Sequence, residues 1–339
     1  MTLDRVRRRW TWLASALMLA LLALIPFDWF LSQYTGLMIF IGIYTMVTVG
    51  LCLLMGYTGQ VSLGQAAFFG IGAYFSAILS KTYGINPWLA MAIGAFATGS
   101  FAYLIAFPIF RLRGNYLAMA TLGLGIIIFI LFRQLGQYTG GPEGMAGIPF
   151  LSMGGLTFDT PFKRYFLVWA FCLATLLIAQ NIVGSRTGRA LRAIHGSESA
   201  AESLGINISL YKVKIFVLSA VFASLAGSLF VHHLRYVSPQ PFDFLASVLI
   251  VVMAVTGGLA SIWGAIFGTA TIRILGDELL PRLENLATLK AWHIDYLNII
   301  IYGLLLILMM IFMPQGLFVS LRDAFHRWRL KFSPKGANP

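Results

Sequence analysis

The 339-residue chain is 59% hydrophobic and only 11% charged, with a mean hydropathy of +0.82; a soluble domain carries about 25% charged residues, so a water-soluble fold is excluded. Its net charge of +12 does not point to nucleic acid, because the bases collect at Arg5, Arg7, Arg8 and Arg9, at Arg111 and Arg113, between Arg186 and Lys214, and after Arg322. Those are short gaps between apolar runs, the pattern of cytoplasmic loops in membrane proteins.

Apolar runs fall near 12–31, 36–55, 62–80, 88–109, 115–133, 164–183, 213–233, 244–257, 261–275 and 294–313. Runs of about 20 residues predict membrane helices, whereas a membrane barrel would carry shorter alternating segments. The predicted fold is therefore all-α, a polytopic membrane helical bundle with about ten embedded segments. The first run follows Arg5–Arg9 but has no small-x-small cleavage site at its far end, so it is expected to remain as an uncleaved span. Counting crossings from an inner N-terminus puts the basic gaps at 110–114 and 184–212, and the tail from about 314 to 339, on the cytoplasmic side. The gap at 276–293, with Asp277, Glu278 and Glu284, falls outside. Both termini are then cytoplasmic. The polar gaps at 134–163 and 184–212 are too short to bury an independent core, which leaves one membrane domain over 1–339.

The third run begins in an unusual way. "GYTGQVSLGQAAFFGIGAY" (Gly56–Tyr74) carries five glycines, two glutamines and a serine inside an apolar stretch. Gly56 and Gly59 loosen the turn before it. Read as helix, Ala66, Gly70, Ala73 and Ala77 form one small-residue stripe that permits close helix approach. On the same reading Ser62 and Gln65 share a face, and in hydrocarbon their polar groups need partners. Gln60, Ser62 and Gln65 are thus either polar fastenings in a tight bundle or residues beside a solute route.

Further along, "YTGGPEGMAGIP" (Tyr138–Pro149) is turn-rich and is expected to fold over one end of the bundle. The gap from 184 to 214 is amphipathic, with Arg189, Arg192, Glu198 and Glu202 against Ala200, Ala201, Leu204 and Ile208, and Gly205 is placed to end a short helix. Such a helix either lies on the membrane surface or offers its apolar face to a partner. The stretch 244–275 reads as two short segments meeting at Gly257 and Gly258, since one crossing there would put the basic tail outside. Glycine-interrupted short segments are where transporters place irregular backbone.

Enzymatic chemistry is not indicated. There is no His-Glu-x-x-His, no Gly-x-Ser-x-Gly and no phosphate loop of the Gly-x4-Gly-Lys-Ser/Thr type. His232 and His233, adjacent on a helix, point about 100° apart and would not chelate together. Cys52 and Cys172 lie in separate apolar runs with neither metal nor disulfide spacing. Mid-span acids or histidines, which ion-coupled transport would require at a cost of ~2.5–3.5 kcal/mol each, are nearly absent. No cofactor is expected on this chain.

Five stretches in this order resemble the permease subunits of branched-chain amino-acid ABC importers, and specifically the longer of the two sister permeases. They are Gly56–Tyr74, "TGGPEGMAGIP" at 139–149, "GRALRAIHGSESAAESLGIN" at 188–207, "TGGLASIWGAIFG" at 256–268 and "MPQGLF" at 313–318. The resemblance implies a permease subunit of a binding-protein-dependent importer in the bacterial inner membrane, with lipid around it. It also implies a sister permease, two ATP-binding ABC subunits and a periplasmic solute-binding protein. Relatives carry branched-chain amino acids, urea, short amides or aromatic acids. The loop at 184–214 then looks like the segment that docks on the ATPase, through Arg189, Arg192, Glu198, Ser199, Ala200, Ala201, Glu202 and Gly205. The general importer pattern Glu-Ala-Ala-x-x-x-Gly is met by Ser199-Ala200-Ala201-x-x-x-Gly205, with Glu198 displaced by one. Ala260 and Ala265 stand where glycine and proline are expected in relatives, which predicts a gentler bend. The competing class is a secondary transporter or channel working without ATP; it calls for mid-span ionisable residues and no docking helix.

Overall fold

In chain order the helices are α1 (Thr35–Leu51), α2 (Gln65–Lys81), α3 (Pro87–Ile109), α4 (Asn115–Gln134), the short α5 (Gly136–Thr139), α6 (Pro161–Gly184), α7 (Arg186–Gly196), α8 (Glu198–Ser203), α9 (Ile208–Leu234), α10 (Phe244–Gly257) and α11 (Gly264–Ile274). The structure, a computed structural model, describes residues 34–112, 114–153, 156–279, 303, 304, 307, 308 and 311. The expected first span at 12–31, most of the run at 294–313 and the tail lie outside the described residues. Among the described residues five helices are long and apolar enough to cross a bilayer: α1 with the π turn that continues it to Gly56, α3, α4, α6 and α9.

Helix starts follow from local chemistry. Asn86 accepts from the Trp88 N–H at 3.0 Å ahead of Pro87, and Thr160 accepts from the Lys163 N–H ahead of Pro161; a polar cap followed by proline satisfies or removes N–H groups that a helix leaves unpaired. Asn207 caps α9 through the Leu210 N–H at 3.1 Å. That cap sets the start of α9 at Ile208, ahead of the apolar run at 213, so Lys212 and Lys214 belong to the helix.

The core is built around α9, which packs against α1, α2 and α3. α2 and α9 run parallel, with Gln65 beside Ser219, Gly72 beside Ser224 and Ser228, and Ser76 beside His232. Their backbones nearly touch. A Cβ on Gly72 would collide with the Ser224 carbonyl, and one on Gly227 with the Phe69 carbonyl. Small residues permit this approach and serine hydroxyls fill the remaining polar needs: Ser228 Oγ donates to the Gly72 carbonyl at 3.2 Å, and Thr98 Oγ1 on α3 donates to Ser224 Oγ at 3.0 Å. The predicted stripe of Ala66, Gly70, Ala73 and Ala77 is buried, and the closest approach falls at its Ala73 and at Phe69 and Gly72 beside it.

The 244–275 stretch breaks where Gly257 and Gly258 predicted. α10 ends at Gly257, residues 258–263 turn, and α11 returns antiparallel, with Gly257 against Gly264 and Met253 against Gly268 at backbone distance. The bend is a full reversal, not the gentler one that Ala260 and Ala265 suggested, because the glycines that let the helices close together sit on either side of it. At 14 and 11 residues, the two helices are about 21 and 16 Å long, each shorter than the hydrocarbon core of about 30 Å.

The bundle has two distinct ends. One gathers the α1–α2 connection, the 258–263 turn and α7–α8: the Tyr57 hydroxyl donates to the Ala260 carbonyl at 2.8 Å, and a Cβ on Gly59 would stand 3.0 Å from His195 Nδ1. The other carries the turn-rich loop. Four two-residue strands, β1 (Met145–Ala146), β2 (Ser152–Met153), β3 (Leu156–Thr157) and β4 (Tyr236–Val237), modify the all-α expectation there. β1 pairs with β4 and β2 with β3, both antiparallel. This pairing holds the loop over the end of α9, as expected of a segment that caps the bundle. Arg235 donates from Nε to the Ile148 carbonyl at 3.1 Å, and its guanidinium lies 4.6 Å from the Phe150 ring centroid, with Arg164 on the same ring at 5.3 Å.

Candidate functional site

The polar residues of the 56–74 stretch surround a discontinuity. α1 unwinds through a π turn at Cys52–Gly56, the chain runs without helix from Gly59 to Gly64, and α2 starts at Gln65. Gly59, at φ 70°, takes a left-handed conformation that costs other residues energy. Ser62 therefore lies in the connection and shares no helical face with Gln65, contrary to the sequence reading. A helix start exposes unpaired N–H groups, and inside a membrane these must be met by protein. Neighbouring helices meet them with hydroxyls. Ser247 on α10 accepts from the Ala66 N–H at 3.2 Å, and Thr121 on α4 accepts from the Leu63 N–H at 3.0 Å. Gln65 Nε2 donates to Ser219 Oγ on α9 at 2.9 Å, and Gln60 Nε2 to the Thr58 carbonyl at 3.2 Å.

Gln60, Ser62 and Gln65 are all buried. Gln65 Oε1 and Ser62 Oγ find no hydrogen-bond partner among the described residues. Gly257 is buried in the α10–α11 contact, while Gly258 opens the turn whose Leu259 carbonyl packs directly on Gly56. The structure thus brings the candidates from both stretches to one end of the bundle, where two broken helical segments meet. Ser219, Ser247 and Thr121 escaped the sequence reading, although each is a hydroxyl in an otherwise apolar run.

The 184–214 gap forms two helices joined at Ser197, not one. Ser185 caps α7 and Ser197 caps α8 through the Ala200 N–H at 3.3 Å. Leu191 and Ile194 bury α7 against the bundle, while Arg189 and Arg192 face out, Arg192 Nη1 donating to the Val183 carbonyl at 3.2 Å. The predicted single stripe is split on α8. Ala201 is 1% exposed and faces inward; Ala200, Glu202 and Leu204 face out, Leu204 at 78% exposure. Ser199 is exposed and pairs with Ser197 through their hydroxyls at 3.1 Å. Gly205 ends the turn at φ 79°, as its position after the helix implied. Glu198 forms an ion pair with Lys212 Nζ at 2.8 Å.

At the opposite end, His232 uses both ring nitrogens: Nδ1 donates to the Pro149 carbonyl at 2.7 Å, which leaves Nε2 to accept from the Ser76 hydroxyl at 2.9 Å. Among the described residues no group of histidines, cysteines and acids could hold a metal, and Cys52 and Cys172 are buried free thiols in the core.

A bundle of apolar helices with a broken, polar-fastened crossing and an appended pair of surface helices is the architecture of a polytopic membrane protein. Residues 33–313 match the family described as the branched-chain amino acid transport system permease component, and the chain belongs to that family. The high-affinity branched-chain amino acid transport permease LivM of Escherichia coli is 32% identical over 299 residues, covering 81% of this chain and 67% of the relative; LivM of Salmonella typhimurium is equally similar. The LivH permease of E. coli is 26% identical over 312 residues, covering 86% of this chain and 96% of the relative. Among solved structures, PsaBC from Streptococcus pneumoniae in complex with Fab aligns with 87% of this chain and 96% of that chain, at a TM-score of 0.42 and 16% identity.

Proposed function

We propose that the chain is the membrane-spanning permease subunit of an ATP-driven, binding-protein-dependent importer for branched-chain amino acids or similar small polar solutes, in the bacterial inner membrane. It pairs with a sister permease of the LivH kind. Two separate ATP-binding subunits hydrolyse ATP, a periplasmic binding protein delivers the solute, and this chain needs no cofactor of its own. The whole chain serves as one domain of about ten embedded segments, with the α7–α8 end and both termini in the cytoplasm, where the basic gaps put them. A cysteine at Ser261, in the 258–263 turn, should then react with a membrane-impermeant reagent from the same side as one at Arg186.

The observation that carries this reading is α8, a short helix fixed to the bundle by its inner side, with Ala200 and Leu204 on an exposed face. An exposed leucine on a membrane protein's aqueous end suits a protein cleft. Arg189, Arg192, Ser199, Glu202 and Gly205 border that face, and Ala201 supports it from behind. Leu204→Glu should release the ATPase or uncouple hydrolysis from uptake while the permease still inserts. It is a cleaner test than Gly205→Glu, which also strains a left-handed backbone position. Normal uptake and normal ATPase retention in Leu204→Glu would reject the docking role.

The path itself is permissive. In the described membrane helices the ionised residues fall in the first two turns or the last turn, so there are no fixed mid-membrane partners for a solute's carboxylate and ammonium, whose unpaired burial is costly. Selection belongs to the binding protein. Permease plus ATPase without it should hold no solute at micromolar concentration in equilibrium binding; measurable binding would contradict this.

A further inference from the structure

The motif comparison makes Glu198 a candidate contact for the ATPase, yet its carboxylate turns toward its own chain. Ala201, three residues after Glu198 on α8, is buried against the bundle, whereas Ala200 and Leu204, the residue that follows the helix, are exposed; the Glu198 side chain is 39% exposed and reaches inward to its own chain. Glu198 Oε1 lies 2.8 Å from Lys212 Nζ, and the Lys212 side chain is only 8% exposed. A cation this covered needs a partner, and Glu198 is its sole ion-pair partner among the described residues.

Lys212 sits in the second turn of α9, and Ser219 follows seven residues later, about two turns on and so on the same face. Ser219 Oγ accepts from Gln65 Nε2 at 2.9 Å, at the first residue of α2. A continuous run of rigid helix and polar fastenings therefore joins α8 to the start of α2: Glu198, Lys212, two turns of α9, Ser219, Gln65. On the other side of the same discontinuity, His195 of α7 packs against Gly59. The pair of surface helices grips the α1–α2 break from two directions.

We propose that the Glu198–Lys212 ion pair is the strut that carries displacement of α8 into α9 and the first turn of α2, so that Glu198 is a positioning residue of the transport cycle and not an ATPase contact. This rests on the reading of α8 as the docking helix. A spatial chain of contacts is not itself coupling, so the test reads coupling directly.

The intact complex, with its ATPase and binding protein, is reconstituted in vesicles, and solute taken up per ATP hydrolysed is measured alongside ATPase retention. Glu198→Gln and Lys212→Met should keep the ATPase bound and hydrolysing while uptake per ATP falls by about fivefold or more. The exchange Glu198→Lys with Lys212→Glu should recover at least about half of the lost ratio, as expected for directly interacting residues. An unchanged ratio in both single variants, a ratio not recovered by the exchange, or loss of the ATPase from Glu198→Gln would each overturn the strut. Failure of the docking reading is a separate result, namely full ATPase retention and uptake in Leu204→Glu.

Discussion

α9 and α4 are almost equally apolar, yet most of α9 is buried within the chain and most of α4 is not. Their sequences differ in shape rather than in oiliness. α9 carries Ser219, Ala220, Ala223, Ser224, Ala226, Gly227 and Ser228, and every one is buried. α4 buries Leu117, Thr121, Ile128 and Phe132, while Tyr116, Met119, Ile127 and Ile130 point away from the bundle. Lipid tails are as apolar as leucine, so hydropathy does not decide which helix is central; close packing of small residues and interhelical hydrogen bonds do.

The largest effect that would sharpen this contrast is expected at the α2–α9 crossing. Gly72→Leu or Gly227→Leu drives a side chain into the partner's backbone and should destabilise the chain by at least about 3 kcal/mol, seen as loss of folded protein from the membrane fraction. Gly123→Leu on α4 meets open space and should leave the amount of folded protein unchanged. Equal tolerance at the three glycines would break the comparison.

A smaller effect is expected at the far end of the crossing. His232→Leu leaves the Pro149 carbonyl and the Ser76 hydroxyl without their partner and should cost about 2 kcal/mol. Thermal unfolding in detergent would register it, and the loop over Pro149 should become the first site of proteolysis.

At the near end, Gln65→Leu removes the fastening to Ser219. Uptake at saturating binding protein should slow while the order of solute preference stays the same, because the residue holds helices together and does not choose cargo. A changed preference order would return Gln65 to the solute route.

The smallest effect belongs to the exposed loop. The hydrogen bond from Lys163, 3.0 Å away, holds the Asp159 carboxyl below the usual carboxylate range. A depressed carboxylate stabilises the fold above its unfolded pKa, and that contribution is lost only as pH falls through the lower folded value. The pair is solvent-exposed, so Asp159→Asn should give no measurable change in melting temperature at neutral pH.

Much of the candidate site was legible before any helix was placed. Gly56 and Gly59 marked a loosened turn ahead of the third run, and Gly257–Gly258 marked a break between two short segments. The second is where α10 ends, and the first is longer than a turn, running without helix from Gly59 to Gly64. Ser62 lies outside the helix because apolar content continues across Gly64 while the helix does not. The split of Ala200 from Ala201 was hidden for a related reason: adjacent residues on a helix point about 100° apart, and only the bundle beneath α8 determines which of them faces inward.

By itself the sequence determined the solvent, the kind of element and its punctuation: long uncharged runs require membrane helices, and glycine and capping residues mark where the backbone must stop or turn. Only the tertiary structure decided which helix is central, that α2 and α9 cross in parallel within backbone contact, and that Glu198 is spent on Lys212. Those outcomes depend on which small residue meets which carbonyl and which charge lies beneath which helix. Such matches join positions far apart in the chain, and no local pattern encodes them.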